Sequence, residues 1–303
     1  MTTTPLPRSE ANRALEAVAC YLRCPVCAGS VQVADGRVSC ERGHSFDIAR
    51  QGYVSLTAGR GGPGTGDSAE MVMARERFLA GGHYAPLADA IAVLAAQRYG
   101  SNDQGNDRDG SAPGIVVDLA GGTGYYLAYV LDALPGRLGA CLDLSAPALR
   151  RAARAHARAA AIGADVWQQL PLADGAAAVV MSVFGPRNAS EILRVLAPGG
   201  ALIVATPNAD HLRELRAPLG MIGIDERKTE RLADTYRDYV EAEISAVRYQ
   251  LSLDQDDVTA VVAMGPSARH INPGDLAARI STLTSPLTVT VDFEVRHLGK
   301  PPG

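Results

Sequence analysis

The chain has 303 residues, with 29 Lys and Arg against 33 Asp and Glu and a formal net charge of −4. That balance excludes a globally basic nucleic-acid binder, so any surface for nucleic acid has to be local. No run of about eighteen apolar residues occurs, and the first twenty residues join no basic stretch to an apolar one; neither a transmembrane helix nor a signal peptide is expected, and the chain reads as cytoplasmic with no membrane partner.

Residues 1–19 are polar and then weakly helical, and are expected to be flexible. The first organised piece, residues 20–58, carries Cys24-Pro25-Val26-Cys27 and then Cys40-Glu41-Arg42-Gly43-His44. Two knuckles flank the hairpin pattern Val31–Val38, whose turn is Asp35-Gly36. Three thiols and one imidazole at this spacing predict one tetrahedral Zn2+ on Cys24, Cys27, Cys40 and His44, closed and therefore structural. Unligated core cysteines are the competing reading; redox chemistry is disfavoured because no thioredoxin-like strand–helix pattern surrounds Cys24 and Cys27. Cys20 lies too near Cys24 to be a better ligand, and Cys141 reads as a small core residue. Phe46, Ile48, Tyr53, Val54 and Leu56 are expected to extend the small sheet.

Residues 59–114 read as a linker and helical connection. After a glycine-rich stretch, a helix starts at Asp67 or Ser68 and ends at Gly81. A second helix covers Leu87–Arg98, and the polar segment 100–114 has no buried role. From Ile115 to residue 303 the pattern changes to α/β. Ile115, Val116 and Val117 suit a central parallel strand, and Asp118 ends it. Gly121, Gly122 and Gly124 permit a sharp turn and close approach of a ligand. Leu127, Val130, Leu131 and Leu134 then recur at helical spacing. A second strand, Leu138–Leu142, leads to Asp143, placed to accept hydrogen bonds from a ribose. The motif lacks the third glycine of the dinucleotide fingerprint, and Tyr125 and Tyr126 crowd the place of a pyrophosphate.

The loop resembles instead the D-x-x-G-G-x-G turn of class I S-adenosylmethionine methyltransferases, whose uncharged thioether end needs no phosphate cradle. That resemblance implies a Rossmann-like doubly wound sheet binding S-adenosyl-L-methionine, with Asp143 at the ribose and Asp165 at the adenine amine. The strand AAAVVMSVF, the helix NASEILRVL and the segment APGGALIVATP follow in the matching order. Arg150, Arg151, Arg154 and Arg158 form the most basic run, read as a solvated face or a phosphate contact. Beyond Pro207 the pattern predicts helices around 209–220 and 225–243, and β-rich segments 247–264 and 286–298 closing the sheet as an antiparallel hairpin.

Taken together, CPVC…C-x3-H-SFDIARQGYVSL, GDSAEMVMAR…AGGHYAPL, VVDLAGGTGYYLA, FGPRN and ATPNADHLREL resemble the RlmA-type 23S rRNA guanine-N1 methyltransferases over nearly the whole chain. GGTGYYLA, RRAARAHARA, ADVWQQLPL and VVAMGPSA are closest to its TlrB-like branch, associated with resistance to tylosin-type macrolides. The resemblance implies methylation of a guanine in the helix 35 hairpin of 23S rRNA, with the zinc domain gripping the RNA. It places the zinc ligands on Cys24, Cys27, Cys40 and His44, and cofactor contacts on Tyr84, Tyr126, Leu127 and His211. Tyr84 as a packing aromatic and His211 as a helix cap are the plainer alternatives. The glycine loop here begins LAGG rather than the family's usual I-G-C/G-G.

At the end of the fourth strand, Phe184 is expected to stack on the target base, Arg187 to stabilise charge developing at O6, and Asn188 to hold the base edge; a simple helix start is the alternative. No convincing general base is evident, and Asp67, Glu70 and water stay open for that role. A small-molecule methyltransferase with a structural zinc module is the second reading, and association into a homodimer stays open.

Overall fold

The computed structural model describes residues 8–57, 66–99, 114–221, 223 and 234–301. In chain order, α1 (Arg8–Val18) and a 3-10 turn (Ala19–Tyr21) precede β1 (Val31–Ala34), β2 (Arg37–Cys40), β3 (Ser45–Asp47) and β4 (Val54–Ser55). Two helices follow, α2 (Ala69–Ala80) and α3 (Ala85–Tyr99). The next elements are β5 (Ile115–Leu119), α4 (Tyr125–Ala133), β6 (Gly139–Asp143), α5 (Ala146–Ala152) and β7 (Ala159–Gly163). Then come β8 (Ala177–Val183), α6 (Ala189–Val195), β9 (Leu196–Pro207) and α7 (Arg213–Leu219). The chain ends through β10 (Val240–Leu253), α8 (Gln255–Ala263), α9 (Pro273–Ser281) and β11 (Leu287–Gly299).

Every residue of β5 is buried, as a continuous apolar run demands of a strand covered on both faces. It stands between β6 and β8, and the sheet order is β10-β11-β9-β8-β5-β6-β7-β4. Strands β4 to β9 pair in parallel, while β11 pairs antiparallel with both β9 and β10. From β5 the chain winds outward to β7, then returns to β8 on the other side. The carboxyl ends of β5 and β8 therefore flank a topological switch point, where an open α/β sheet leaves a crevice.

The zinc-ribbon segment is built into this sheet. Strands β1, β2 and β3 form their own small antiparallel sheet, with Asp35 (φ 50°) and Gly36 (φ 73°) making the hairpin turn. The next strand, β4, leaves it and pairs with β7, Val54 beside Ile162 and Ser55 beside Gly163. A side chain at 163 would put its Cβ 3.0 Å from the Ser55 Cα, so glycine there permits the approach. Leu22, Val31, Val38, Ile48, Val54 and Leu56 share one apolar cluster with Ile115, Val117, Leu142 and Ile162.

Several expectations change, among them that Val54 extends the small sheet, since β4 pairs with β7 instead. Residues 8–18 are helical rather than flexible, because Ala14, Leu15 and Val18 fall on one face of α1 and are 2%, 0% and 0% exposed against the cluster shared with β6 and β7. Residues 255–263 are helix rather than strand: Asp254 accepts a hydrogen bond from Asp257 N as the cap, and Val258, Val261 and Val262 are buried at helical spacing. Of the helix expected at 225–243, residues 225–233 lie outside those described; Asp234 and Thr235 are helical, a turn follows, and from Val240 the chain is strand. Helix α9, capped by Asn272 with Pro273 at its start, had no counterpart in the sequence reading. Within 209–220 the α-helix is confined to Arg213–Leu219. Most of the glycine-rich stretch and nearly all of the polar segment 100–114 lie outside the described residues.

Candidate cofactor and metal sites

The metal donors are set by two knuckles. After Cys24-x-x-Cys27 the chain turns at Ala28 (φ 57°), and Ala28 N donates to Cys24 O. After Cys40 it turns at Gly43 (φ 82°), and Gly43 N donates to Cys40 O. The ligand atoms of Cys24, Cys27, Cys40 and His44 all lie within 4.8 Å of one another. Cys27 Sγ and Cys40 Sγ are 3.7 Å apart; His44 Nδ1 is 3.6 Å from Cys24 Sγ and 3.3 Å from Cys40 Sγ. A tetrahedral zinc with Zn–S of about 2.3 Å separates its sulfurs by roughly 3.8 Å, so the donors fit that ion with little movement. Burial opposes ionisation of Cys40, but His44 and backbone N–H groups outweigh it and bring the thiol down to about 6. Burial raises Cys24, so metal binding there displaces a proton.

The crevice at the sheet's switch point holds a cavity of about 560 Å³. Of the residues singled out in the sequence, Asp118, Gly122, Tyr126, Asp143, Asp165 and Phe184 line it. Asp143 organises the floor: its Oδ2 accepts from Gly122 N at 2.9 Å and its Oδ1 from Ser145 N at 2.7 Å. Each carboxylate oxygen keeps lone-pair capacity for a second donor, such as a ribose hydroxyl. Burial raises its pKa, and those backbone donors lower it again in part. Gly122 holds φ +57°, and a Cβ there would meet Arg75 Nη1 at 3.1 Å. Asp165 Oδ1 accepts from Trp167 N at 3.0 Å.

Asp118 is 1% exposed, and neither carboxylate oxygen has a hydrogen-bond partner. Burial, reinforced by Asp143, pushes it up to about 8. A Cβ at Gly121 would lie 2.6 Å from Asp118 Oδ2 and 2.7 Å from Cys141 Sγ, so only glycine lets the loop close over this carboxylate. Arg75, also on the cavity wall, pairs with Asp67 at 2.5 Å and donates to Met264 O. A ligand with a diol, a carboxylate and a cationic centre matches this set, which is the donor and acceptor content of S-adenosylmethionine. An orphaned acid under a glycine loop is the observation by which the cavity fits that group.

The remaining sequence candidates lie elsewhere. Gly124, at φ +76°, packs against Ala152 and Ala155 and starts α4, while Leu127 is fully buried in the core. Tyr84 Oη sits 3.1 Å from His211 Nε2, and His211 Nδ1 accepts from Asp292 N at 3.4 Å. Neither Tyr84 nor His211 lines the cavity; Phe184 bridges the two places, its ring 6.3 Å from Tyr84 and 6.2 Å from Tyr126 between centroids. Phe184 has φ +58°, an unusual backbone state for a bulky residue beside a cavity. Arg187 and Asn188 do not line the cavity. Asn188 caps α6, accepting from Glu191 N at 3.5 Å, and its Nδ2 donates to Val166 O at 3.2 Å. Arg187 carries a buried Nε without a hydrogen-bond partner and lies near Tyr236. The arginine run is divided: Arg151 pairs with Glu76, and Arg158 donates to the carbonyls of Leu131, Leu134 and Arg137 behind α4.

Sequence reasoning held Asp67 only as an open candidate for a base and gave Arg75 and Trp167 no role. Arg75 ends the GDSAEMVMAR stretch that carries the resemblance, but its approach to Gly122 is a tertiary fact. Trp167 carried a signal, being the chain's one tryptophan and next but one to Asp165.

Comparison with known proteins places these sites in context. A family model described as "RlmA, N-terminal" matches residues 22–57, which include all four metal donors. One described as a methyltransferase domain matches residues 116–200. The chain is 46% identical over 278 residues to the 23S rRNA (guanine(748)-N(1))-methyltransferase of Streptomyces fradiae, covering 91% of this chain and 96% of that one. A Micromonospora griseorubida protein, provisionally named a 23S rRNA (guanine-N(1)-)-methyltransferase, is 49% identical over 278 residues, covering 89% and 94%. A provisionally named Bacillus subtilis counterpart is 30% identical over 282 residues, covering 90% and 95%.

Proposed function

The chain belongs to the 23S rRNA (guanine-N1-)-methyltransferase family, and from that premise we propose that it methylates N1 of a guanine in the helix 35 hairpin of 23S rRNA. The observation that carries the reading is the orphaned Asp118 beneath the Gly121–Gly122 turn, in a cavity that also holds Asp143, Asp165 and the exposed ring of Phe184. The same reading makes the role cytoplasmic and protective: a methyl on the Watson–Crick edge of that hairpin obstructs a tylosin-type macrolide. A zinc-bearing N-terminal segment (20–58) that grips RNA, a connection (59–114) and a catalytic part (115–303) are the division of labour we assign, and a homodimer is compatible with it.

S-adenosylmethionine supplies a methyl already activated on its sulfonium. The protein's task is then alignment, which is worth several orders of magnitude in rate. Asp143 takes the ribose, Asp165 the adenine amine, Arg75 the carboxylate of the amino-acid end and Asp118 its cationic centre. Phe184, at the carboxyl end of β8, receives the guanine after it leaves its stack. Tyr84 supports Phe184 from behind rather than from the cavity wall, and His211 holds Tyr84. Asn188 acts by capping α6 and tying it to the Val166 backbone.

Primer extension tests the reaction. N1-methylguanine cannot pair normally, so reverse transcription of rRNA from cells expressing the protein is expected to halt one nucleotide before a single guanine of the hairpin. Macrolide tolerance should rise with the stop. No stop anywhere in 23S rRNA, with methyl transfer to a small molecule instead, would reassign the enzyme.

A pH effect tests the cofactor site independently. With its pKa near 8 rather than the usual 3.8, Asp118 is protonated at neutral pH in the free protein. The folded state therefore holds a proton the unfolded state releases, and stability of the free protein falls as pH rises from about 4 to about 8. Pairing Asp118 with a cation reverses the preference: S-adenosylhomocysteine affinity should rise with pH to about 8, and binding at pH 7 should release a proton. Calorimetry in buffers of different ionisation enthalpy reads that proton. Asp118→Asn should abolish the buffer dependence; a wild-type protein showing none assigns the cation elsewhere.

A further inference from the structure

Among the described residues the exposed large hydrophobic side chains are Val26, Met73, Val93, Trp167, Phe184, Val240 and Ile244. The two aromatic ones, Trp167 at 62% and Phe184 at 42% exposure, are also the two that line the cavity. Water contact over so much of an indole is unfavourable, and two such rings at one mouth mark a place where flat apolar groups dock.

Both rings stand on one connected frame. The turn that carries Trp167 is closed by Trp167 N donating to Asp165 Oδ1 at 3.0 Å and Gln168 N donating to Asp165 O at 3.0 Å. The loop that carries Phe184 reaches across to it, Asn188 Nδ2 donating to Val166 O at 3.2 Å. Farther along, Leu170 N donates to Glu191 Oε2 at 2.7 Å, and Arg194 Nη2 donates to Leu170 O at 3.0 Å. Helix α6 thus fixes the backbone of both segments while leaving the Trp167 ring in solvent.

We propose that Trp167 is a stacking platform for a second RNA base, the nucleotide adjoining the guanine that Phe184 receives. The inference rests on the rRNA reading above. A base lifted from its stack leaves its neighbour with one face bare, and an aromatic ring replaces that face without reading sequence. The inner wall beside Asp165 is furnished by the buried Val166, so the outward indole is surplus to the cofactor's adenine and available to the acceptor strand. Asn188 is then a positioning residue, holding the two rings in register.

Because Trp167 is the chain's single tryptophan, its emission reports on this ring alone. Titration with a synthetic helix 35 RNA hairpin should quench it, whereas S-adenosylhomocysteine alone should leave it nearly unchanged. Trp167→Ala should raise the RNA KM about 10- to 100-fold with little change in kcat or in S-adenosylhomocysteine affinity. Trp167→Phe should restore most of the loss and Trp167→Leu should not, since only the former keeps a π-face. Quenching by S-adenosylhomocysteine together with weaker cofactor binding in Trp167→Ala would overturn the proposal by placing the ring over the adenine. An unchanged RNA KM in Trp167→Ala would overturn it outright. Failure of the wild-type protein to bind or methylate the hairpin would instead remove the rRNA reading, and this inference with it.

Discussion

Chelation of the zinc, or a Cys24→Ser substitution, is expected to lower the melting temperature of the whole chain by on the order of 10 °C or more. Structural zinc in a small module supplies roughly 10–16 kcal/mol of apparent binding free energy at neutral pH, and most of it is folding energy. Strands β1, β2 and β3 have four, four and three residues, too short to hold a sheet without the ion. If the ribbon hung from a linker, its loss would leave the catalytic part untouched. Here Val38, Ile48 and Val54 share a core with Ile115 and Ile162, and β4 occupies the edge of β7. Metal loss should therefore expose that edge and weaken the sheet itself. Elemental analysis should find one zinc per chain, and calorimetric scans with and without chelator should show the shift. A chain that binds no stoichiometric metal, or melts identically after its removal, contradicts the assignment.

Asp143→Ala is expected to reduce S-adenosylhomocysteine affinity by about 100-fold or more while leaving the fold intact. The substitution strips the acceptor from two backbone donors, Gly122 N and Ser145 N, as well as from the ribose that Asp143 is proposed to hold. Each donor left unpaired in a buried place costs roughly 1–3 kcal/mol, so the glycine loop loses its fixed shape before any ligand arrives. Helix α5 should survive, because Ser145 Oγ caps it independently by accepting from Ala148 N. Asp143→Asn should recover only part of the affinity, since one of its two end atoms becomes a donor facing another donor. Calorimetry gives the affinities and circular dichroism checks the fold. Affinity in Asp143→Ala within about threefold of wild type would show that the loop holds its shape, and the ribose its place, by other means.

The sequence by itself determined what is local. The four metal donors follow from knuckle spacing, and the β5 to β6 unit follows from an apolar run, three glycines and an acid, since each constrains neighbours a few residues away. The start and end of α2 were readable for the same reason: Ser68 accepts from Met71 N, and Gly81 closes the helix. Even the α8 start carried a local signal, Asp254 followed by two further acids, inside a segment read as β-rich. Tertiary structure decided the rest. Whether α1 forms depended on a face of β6 and β7 more than a hundred residues away, and β4 changed sheets because the β7 edge was free to pair. Arg75 reached the glycine loop, and Arg187 and Asn188 stayed off the cavity wall, through packing that no spacing encodes. Trp167 shows the division most directly: its type and place in the chain were visible at once, but its exposure beside Phe184 exists only after β7, β8 and α6 come together, because burial is a property of neighbours and not of residues.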